Sequence, residues 1–320
     1  MPIWLQFVSV LISGLLSGFM GVALIPFLEK CNFSLPESEN KKNNINIKLR
    51  PTMCGILLIF GTIAGFVINY TLYLQFGGAD RTGADFQTES HVLWLILGYM
   101  LVITFFGFGL DYLKIKKKFV YPVRKSWQFL IIFFVNCALL RLLPEQILDF
   151  GFWKWNAGIL SVIIRALLLA IFSQIMQIPE QETDGMSISL NAVQLLCLNI
   201  LLLAEKQNLY ALYSFTAIGA CMGCMFWNLH PAKCKLGNTG LFFLGAVLPV
   251  LSMLYGKIYI ILLYMIVYVI IILPMLTKKT QRKNLIVLLK NSGYEPLQRI
   301  ALLAGFAIFC GVLTILLETS

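Results

Sequence analysis

The chain of 320 residues is 59% hydrophobic and 12% charged, with a formal net charge of +10 and a mean hydropathy of +0.82. A water-soluble domain of this length cannot bury that much apolar surface, because a large share of any such fold stays exposed. The basic excess would suggest a nucleic-acid partner in a soluble protein, but here the charges sit in short loops between long apolar blocks, which excludes it and points to a membrane.

A block of about 20 apolar residues is long enough to cross the hydrocarbon core as a helix. The blocks predict spans near 3–28, 52–74, 92–113, 127–143, 157–174, 188–204, 209–227, 239–254, 256–276 and 298–317. The expected fold class is therefore all-α: one polytopic domain over 1–320, with about ten transmembrane helices around a cytoplasm-facing cleft. No basic residue precedes the first block within Met1–Phe7, and no small-residue cleavage signature follows it, so it reads as a retained span rather than a signal peptide. The fourth and several later blocks are short, which predicts little tilt or a break in the helix.

Lysine and arginine orient the spans. They crowd the loops near 29–51, 114–126, 228–238 and 277–297, whereas the alternate loops carry only Arg81, Lys154, Lys206 and Lys257, with Arg141 at an edge. Basic loops stay cytoplasmic, so both termini are expected outside the plasma membrane. The loop near 175–187 breaks the pattern. It holds Glu180, Glu182 and Asp184 and no basic residue, as a cation site or an ordinary solvated loop would. Eight cysteines are scattered, mostly inside apolar blocks. The Cys221/Cys224 pair has no second CxxC nearby and reads as small packing residues rather than a metal site.

Four segments in cytoplasmic loops carry the chemistry: Arg50-Pro51-Thr52-Met53-Cys54-Gly55-Ile56, Gly107-Phe108-Gly109-Leu110-Asp111-Tyr112-Leu113-Lys114, Thr183-Asp184-Gly185-Met186, and Asn228-Leu229-His230-Pro231-Ala232-Lys233 followed by Gly237-Asn238-Thr239-Gly240. In this order and spacing the chain resembles the phospho-N-acetylmuramoyl-pentapeptide transferase (MraY-type) family of polyprenyl-phosphate phosphoglycosyltransferases. The Asn-x-His-Pro-Ala segment is the most specific part of the resemblance, which runs over nearly the whole chain.

The resemblance implies a bacterial multi-pass membrane enzyme of peptidoglycan precursor synthesis. In its reaction the phosphate of undecaprenyl phosphate attacks the β-phosphate of UDP-MurNAc-pentapeptide, or of another UDP-sugar, and UMP leaves. It further implies Mg2+ to neutralise the diphosphate, the lipid bilayer and the two substrates as partners, and a homodimer. Carried over by position, Asp111 and Asp184 become catalytic candidates. Lys48, Gly185, Asn228 and His230 become substrate-binding candidates, and Asn238 stands at a metal-ligand position.

The chain also departs from the family. The first of two paired aspartates is Leu110, and the aspartate of Gly-Asp-x-Gly is Asn238. The second aspartate of Thr-Asp-Gly-Leu-Asp-Gly is Ser187, its glycine is Ile188, and an asparagine just before Thr-Asp-Gly is Gln181. A run of three histidines near the last loop is missing, for the chain has only His91 and His230. The losses fall on cation ligands and on the candidate base, and losing several such ligands is expected to empty a magnesium site. Two expectations follow: a lipid-I-forming transferase, or a catalytically deficient paralogue that binds the lipid carrier or a cell-wall synthesis partner. A solute transporter is a distant third, because apart from Arg165 no span carries buried paired charges.

Overall fold

The computed structural model describes residues 1–31, 33–36, 49–76, 84–116, 124–143, 148–150, 154–155, 158–276 and 284–319. In a bilayer every backbone polar group must be satisfied within the protein, so apolar blocks become helices. The described helices are α1 (Ile3–Lys30), α2 (Gly55–Phe76), α3 (Ala84–Lys116), α4 (Lys125–Leu142), α5 (Ile159–Ile175), α6 (Gln177–Glu182), α7 (Met186–Ala204), α8 (Asn208–Asn228), α9 (Gly237–Leu254), α10 (Ile258–Ile272), α11 (Leu285–Asn291) and α12 (Pro296–Thr319). Two short antiparallel ladders complete the described residues: β1 (Ser34–Pro36) with β2 (Leu49–Pro51), and β3 (Leu148–Asp149) with β4 (Lys154–Trp155).

The fold is an all-α polytopic membrane protein. Nine helices among the described residues are long and apolar enough to cross a membrane, and the tenth apolar helix, α10, has 15 residues. At ~1.5 Å per residue α10 alone covers only about 22 Å. The 3-10 turn Leu273–Leu276 continues it, adding roughly 8 Å, so the pair approaches the ~30 Å hydrocarbon thickness. This is the break expected for a short late span. Two stretches read as loops are partly helical: α6 lies inside 175–187, and α11 inside 277–297.

The helices differ in what they face. In α9 every residue from Asn238 to Leu254 is buried, and this helix packs on α2, α3, α5, α7 and α10. By contrast, α1 turns Ile3, Phe7, Leu11, Leu15 and Phe19 outward, an apolar face suited to lipid rather than water. Its other face repeats a small residue every four positions: Ser9, Ser13, Ser17 and Gly21 are all buried. Gly219 and Gly223 of α8 oppose them so closely that a Cβ on Gly223 would lie 2.2 Å from the Gly14 carbonyl oxygen. Small-xxx-small faces allow this approach where no hydrophobic effect drives helices together.

Interhelical hydrogen bonds add specificity. Asn69 Nδ2 of α2 donates to Ser9 O of α1 at 3.2 Å and to Thr216 Oγ1 of α8 at 3.0 Å. Asn191 Nδ2 of α7 reaches Leu244 O of α9 at 2.9 Å. Tyr99, Asn136 and Ala166 O link α3, α4 and α5 in series.

Candidate functional site

Glycine decides where three helices converge. A Cβ on Gly55, at the start of α2, would lie 2.0 Å from Gly240 N, and one on Gly107 of α3 would lie 2.8 Å from Asn238 O. The ends of α2, α3 and α9 therefore meet backbone to backbone, which no larger residue at these positions permits. Gly237, at φ +67, opens α9 in the left-handed region, with the space beside its Cα filled by Asp111 Oδ2 and Thr52 Oγ1.

Asp111 lies within this junction, 1% exposed. Its Oδ1 accepts from Asn238 N at 3.0 Å, while its Oδ2 accepts from Thr239 N at 2.9 Å and from Thr239 Oγ1 at 2.7 Å. A carboxylate bound to the first free N–H groups of a helix is an N-cap, favoured further by the helix dipole. Asp111 caps α9 from 127 residues away in sequence. Leu110, beside it, is packed in the apolar core. The Asn238 side chain is buried, and its Nδ2 has no hydrogen-bond partner among the described residues.

A second junction joins the remaining motifs. Lys235 N donates to Pro51 O at 2.9 Å, and Cys54 N and Gly55 N donate to Lys235 O and Leu236 O. This brings Arg50 to Asp184: Arg50 Nη1 bonds Asp184 Oδ2 at 2.9 Å, and Lys235 Nζ lies 3.8 Å from Asp184 Oδ1. Gly185, at φ +81, makes the turn behind Asp184, where a Cβ would press within 2.8 Å of Leu229 Cδ2. Glu180 accepts from Gly185 N and Ser187 N, both at 3.2 Å, and so caps the start of α7. The Asn228 side chain lies beside Glu180 and donates to Cys234 O at 3.2 Å. Ser187, at a family aspartate position, is fully buried and donates to Met176 O at 2.8 Å. Glu182 accepts from Asn284 Nδ2 at 3.1 Å, which ties α11 to α6. All three carboxylates of the acidic stretch thus have partners within the protein.

Between these elements lies a polar cavity of about 260 Å³, lined by Glu182, Asp184, His230, Lys235, Lys290 and Arg299 among others. His230 is exposed here and precedes a cis peptide bond to Pro231. A separate, wholly apolar groove of about 450 Å³ runs between α2 and α3 past Ile59, Ile63 and Phe105, and ends at Thr239, the residue bonded to Asp111.

The structure therefore brings Asp184, His230 and Lys235 to one cavity, sets Gly185 and Asn228 behind it, and puts Asp111 and Asn238 in the neighbouring junction. Lys48 lies outside the described residues. Arg50, Lys235 and Arg299 were not singled out by sequence as site residues, and Glu180 only as one carboxylate of the acidic loop. Arg50 had a signal, since it opens the first motif, whereas Arg299 only marked a cytoplasmic loop.

The magnesium that the resemblance implies needs oxygen donors with charge to spare. Asp111 has both oxygens engaged by three donors, Asp184 is paired with two cations, and positions 110, 187 and 238 hold no carboxylate. Among the described residues no group of three or more His, Cys, Asp or Glu side chains has metal-binding spacing. These residues do not fit a divalent cation as they stand.

Residues 93–256 match the glycosyl transferase family 4. The chain is similar to the phospho-N-acetylmuramoyl-pentapeptide-transferase of Heliobacterium modesticaldum, 25% identical over 246 residues, which covers 73% of this chain and 70% of the relative. The transferase of the same name from Streptococcus mutans is 24% identical over 274 residues, 82% of this chain and 77% of its own. That of Listeria welshimeri is 24% identical over 264 residues, with 78% and 76% covered.

Proposed function

Because this chain belongs to the glycosyl transferase family 4, as an MraY-type member, we propose that it acts at the membrane step of peptidoglycan precursor synthesis as a catalytically deficient paralogue. In this reading it holds the phosphate of undecaprenyl phosphate or of a UDP-sugar and does not transfer it. The observation that carries the reading is the engagement of Asp111, whose two oxygens accept three hydrogen bonds from Asn238 and Thr239. A general base or metal ligand needs a lone pair turned to the reacting groups. Asp111 uses its oxygens to start α9 instead.

The binding half rests on the two cavities. The polar one offers Lys235, Lys290, Arg299 and His230 to an anionic group. The apolar groove between α2 and α3 offers a lipid-facing channel for one prenyl chain, ending beside the Asp111–Thr239 cap. The same reading puts the polar cavity on the cytoplasmic face, both termini outside and two copies together as a homodimer. Labelling of single surface cysteines from either side and crosslinking in membranes test these points.

A second reading is an active transferase with substitute ligands. It is favoured by Asp184 and His230 lining the same cavity, where side-chain cations would neutralise a diphosphate in place of a metal. The deciding assay is UMP release by purified protein given undecaprenyl phosphate, UDP-MurNAc-pentapeptide and Mg2+. The expected result is no UMP above a protein-free control from protein that still binds the lipid or the nucleotide. UMP release above that control, with or without dependence on magnesium, would overturn the deficient reading in favour of the transferase.

A further inference from the structure

Arg299 stands in the first turn of α12, the only charged side chain between Pro296 and Leu317. An arginine at the edge of a span ordinarily snorkels to water. This one is 4% exposed, and its Nε and Nη1 have no hydrogen-bond partner among the described residues. A buried guanidinium with donors unmade is costly, because its lost hydration is not repaid. It nevertheless lines the polar cavity, so although both atoms are covered as the side chain stands, a turn of the guanidinium brings them to a ligand there.

The rest of the cavity is consistent in sign and shape. Lys235 and Lys290 line it with Arg299, against the carboxylates of Glu182 and Asp184. Those two carboxylates are already engaged, Glu182 by Asn284 and Asp184 by Arg50 and Lys235. The start of α12, a helix of 24 residues, borders the same space at Pro296 and adds the positive end of its dipole. At about 260 Å³ the cavity lies below the volume of most small-molecule sites, and suits a phosphate or diphosphate group better than a whole nucleotide sugar.

We propose that this cavity is a metal-independent phosphate site centred on Arg299, in which the guanidinium forks two phosphate oxygens and Lys235, Lys290 and His230 surround the group. Arginine is suited to this because its planar donors match phosphate geometry in pairs and its charge does not titrate away. The inference rests on the proposed phosphate-holding role for the identity of its ligand. A phosphate there comes either from a nucleoside diphosphate or from a prenyl phosphate headgroup, and the shared chemistry is the terminal phosphoryl group.

The test is equilibrium binding to the full-length protein in detergent with excess EDTA, using UDP and a short-chain polyprenyl phosphate as separate probes and inorganic pyrophosphate as competitor. Binding of either probe in chelator, displaced by pyrophosphate, is expected; which probe binds identifies the source. Arg299→Gln is expected to weaken it by roughly 10–100-fold, the loss of a charge-assisted bond pair, and Arg299→Lys to restore part of it. Lys154→Gln, which removes an equal charge from an exposed site on β4, is expected to change nothing. If Arg299→Gln does not fold, Lys290→Gln, at an exposed lining position, takes its place with the same expected direction. Neither probe binding in EDTA, or binding unmoved by these variants in protein that melts normally, overturns the proposal. Magnesium-dependent UMP release together with Arg299-dependent binding in chelator would sink the deficient-paralogue reading and leave this site standing.

Discussion

Replacing Asp111 by alanine removes the acceptors of Asn238 N, Thr239 N and Thr239 Oγ1 in one step, inside a junction that is 1% exposed at Asp111 itself. Each donor left buried and unpaired costs about 1–3 kcal/mol, so three bound the loss between roughly 3 and 9 kcal/mol. Water entering the vacated space would rescue some of them, which brings the expected loss toward the low end, about 3 kcal/mol. By the scaling of soluble domains, about 2–4 °C per kcal/mol at 150–250 residues and less for longer chains, the apparent melting temperature should fall by roughly 4 °C or more. The assay is thermal unfolding of the purified protein in detergent, followed by tryptophan fluorescence. Thr239→Val, which deletes only the hydroxyl donor, should cost about 1 kcal/mol. The double variant should fall short of the sum of the two, because both act on one network. A residue held for chemistry behaves differently, since its removal is commonly neutral or stabilising. Asp111→Ala melting within about 1 °C of wild type would refute the capping argument and with it the main support for a deficient site.

Three further outcomes follow from the same contacts. Leu110→Asp combined with Asn238→Asp should yield no magnesium-dependent UMP and should lower stability, since it puts two carboxylates where Leu110 packs in the core and Asn238 is 5% exposed; turnover in the UMP assay would mean the site was lost at those positions alone. Gly223→Ala should separate α1 from α8, because its Cβ would lie 2.2 Å from Gly14 O, whereas Gly98→Ala in α3 meets nothing within 4 Å and should be neutral or slightly stabilising; equal melting temperatures for the two would contradict this packing. Asn69→Leu should cost about 1 kcal/mol through the lost bonds to Ser9 O and Thr216 Oγ1, seen as faster proteolysis in detergent, and an unchanged rate would mean those bonds contribute nothing net.

The spans were legible because length and hydropathy alone decide them. Their environments were not: α1 and α9 read as similar apolar strings, yet one faces outward along Phe7, Leu11 and Phe19 while the other is buried throughout. The signal lay in the small residues, Ser9, Ser13, Ser17 and Gly21, whose period of four marks the packed face of α1. The four motif segments could be named from sequence, and Arg50–Asp184, Asp111–Thr239 and Lys235–Pro51 bring them together. What each acid does could not be read. Capping is recognised in sequence by a residue one to three positions from the helix start, and Asp111 caps α9 across 127 positions. Arg299 was hidden for the opposite reason, because a lone charge at the edge of an apolar run looks like an interfacial anchor whether it is exposed or buried.

Two of the departures from the family pattern are not vacancies in an otherwise preserved site, since Leu110 and Ser187 have been taken into the packing. Leu110 belongs to the apolar core and Ser187 donates to Met176 O, whereas the buried Asn238 Nδ2 has no hydrogen-bond partner among the described residues. Asp184 is held as an ion pair, with Arg50 at 2.9 Å and Lys235 at 3.8 Å. Restoring any one aspartate would bury a charge without its old partners, at a cost that a single substitution cannot offset. The same commitment of acids to structure leaves Arg299, with Nε and Nη1 unbonded among the described residues, as the cation at the cavity wall on which the proposed phosphate-holding role turns.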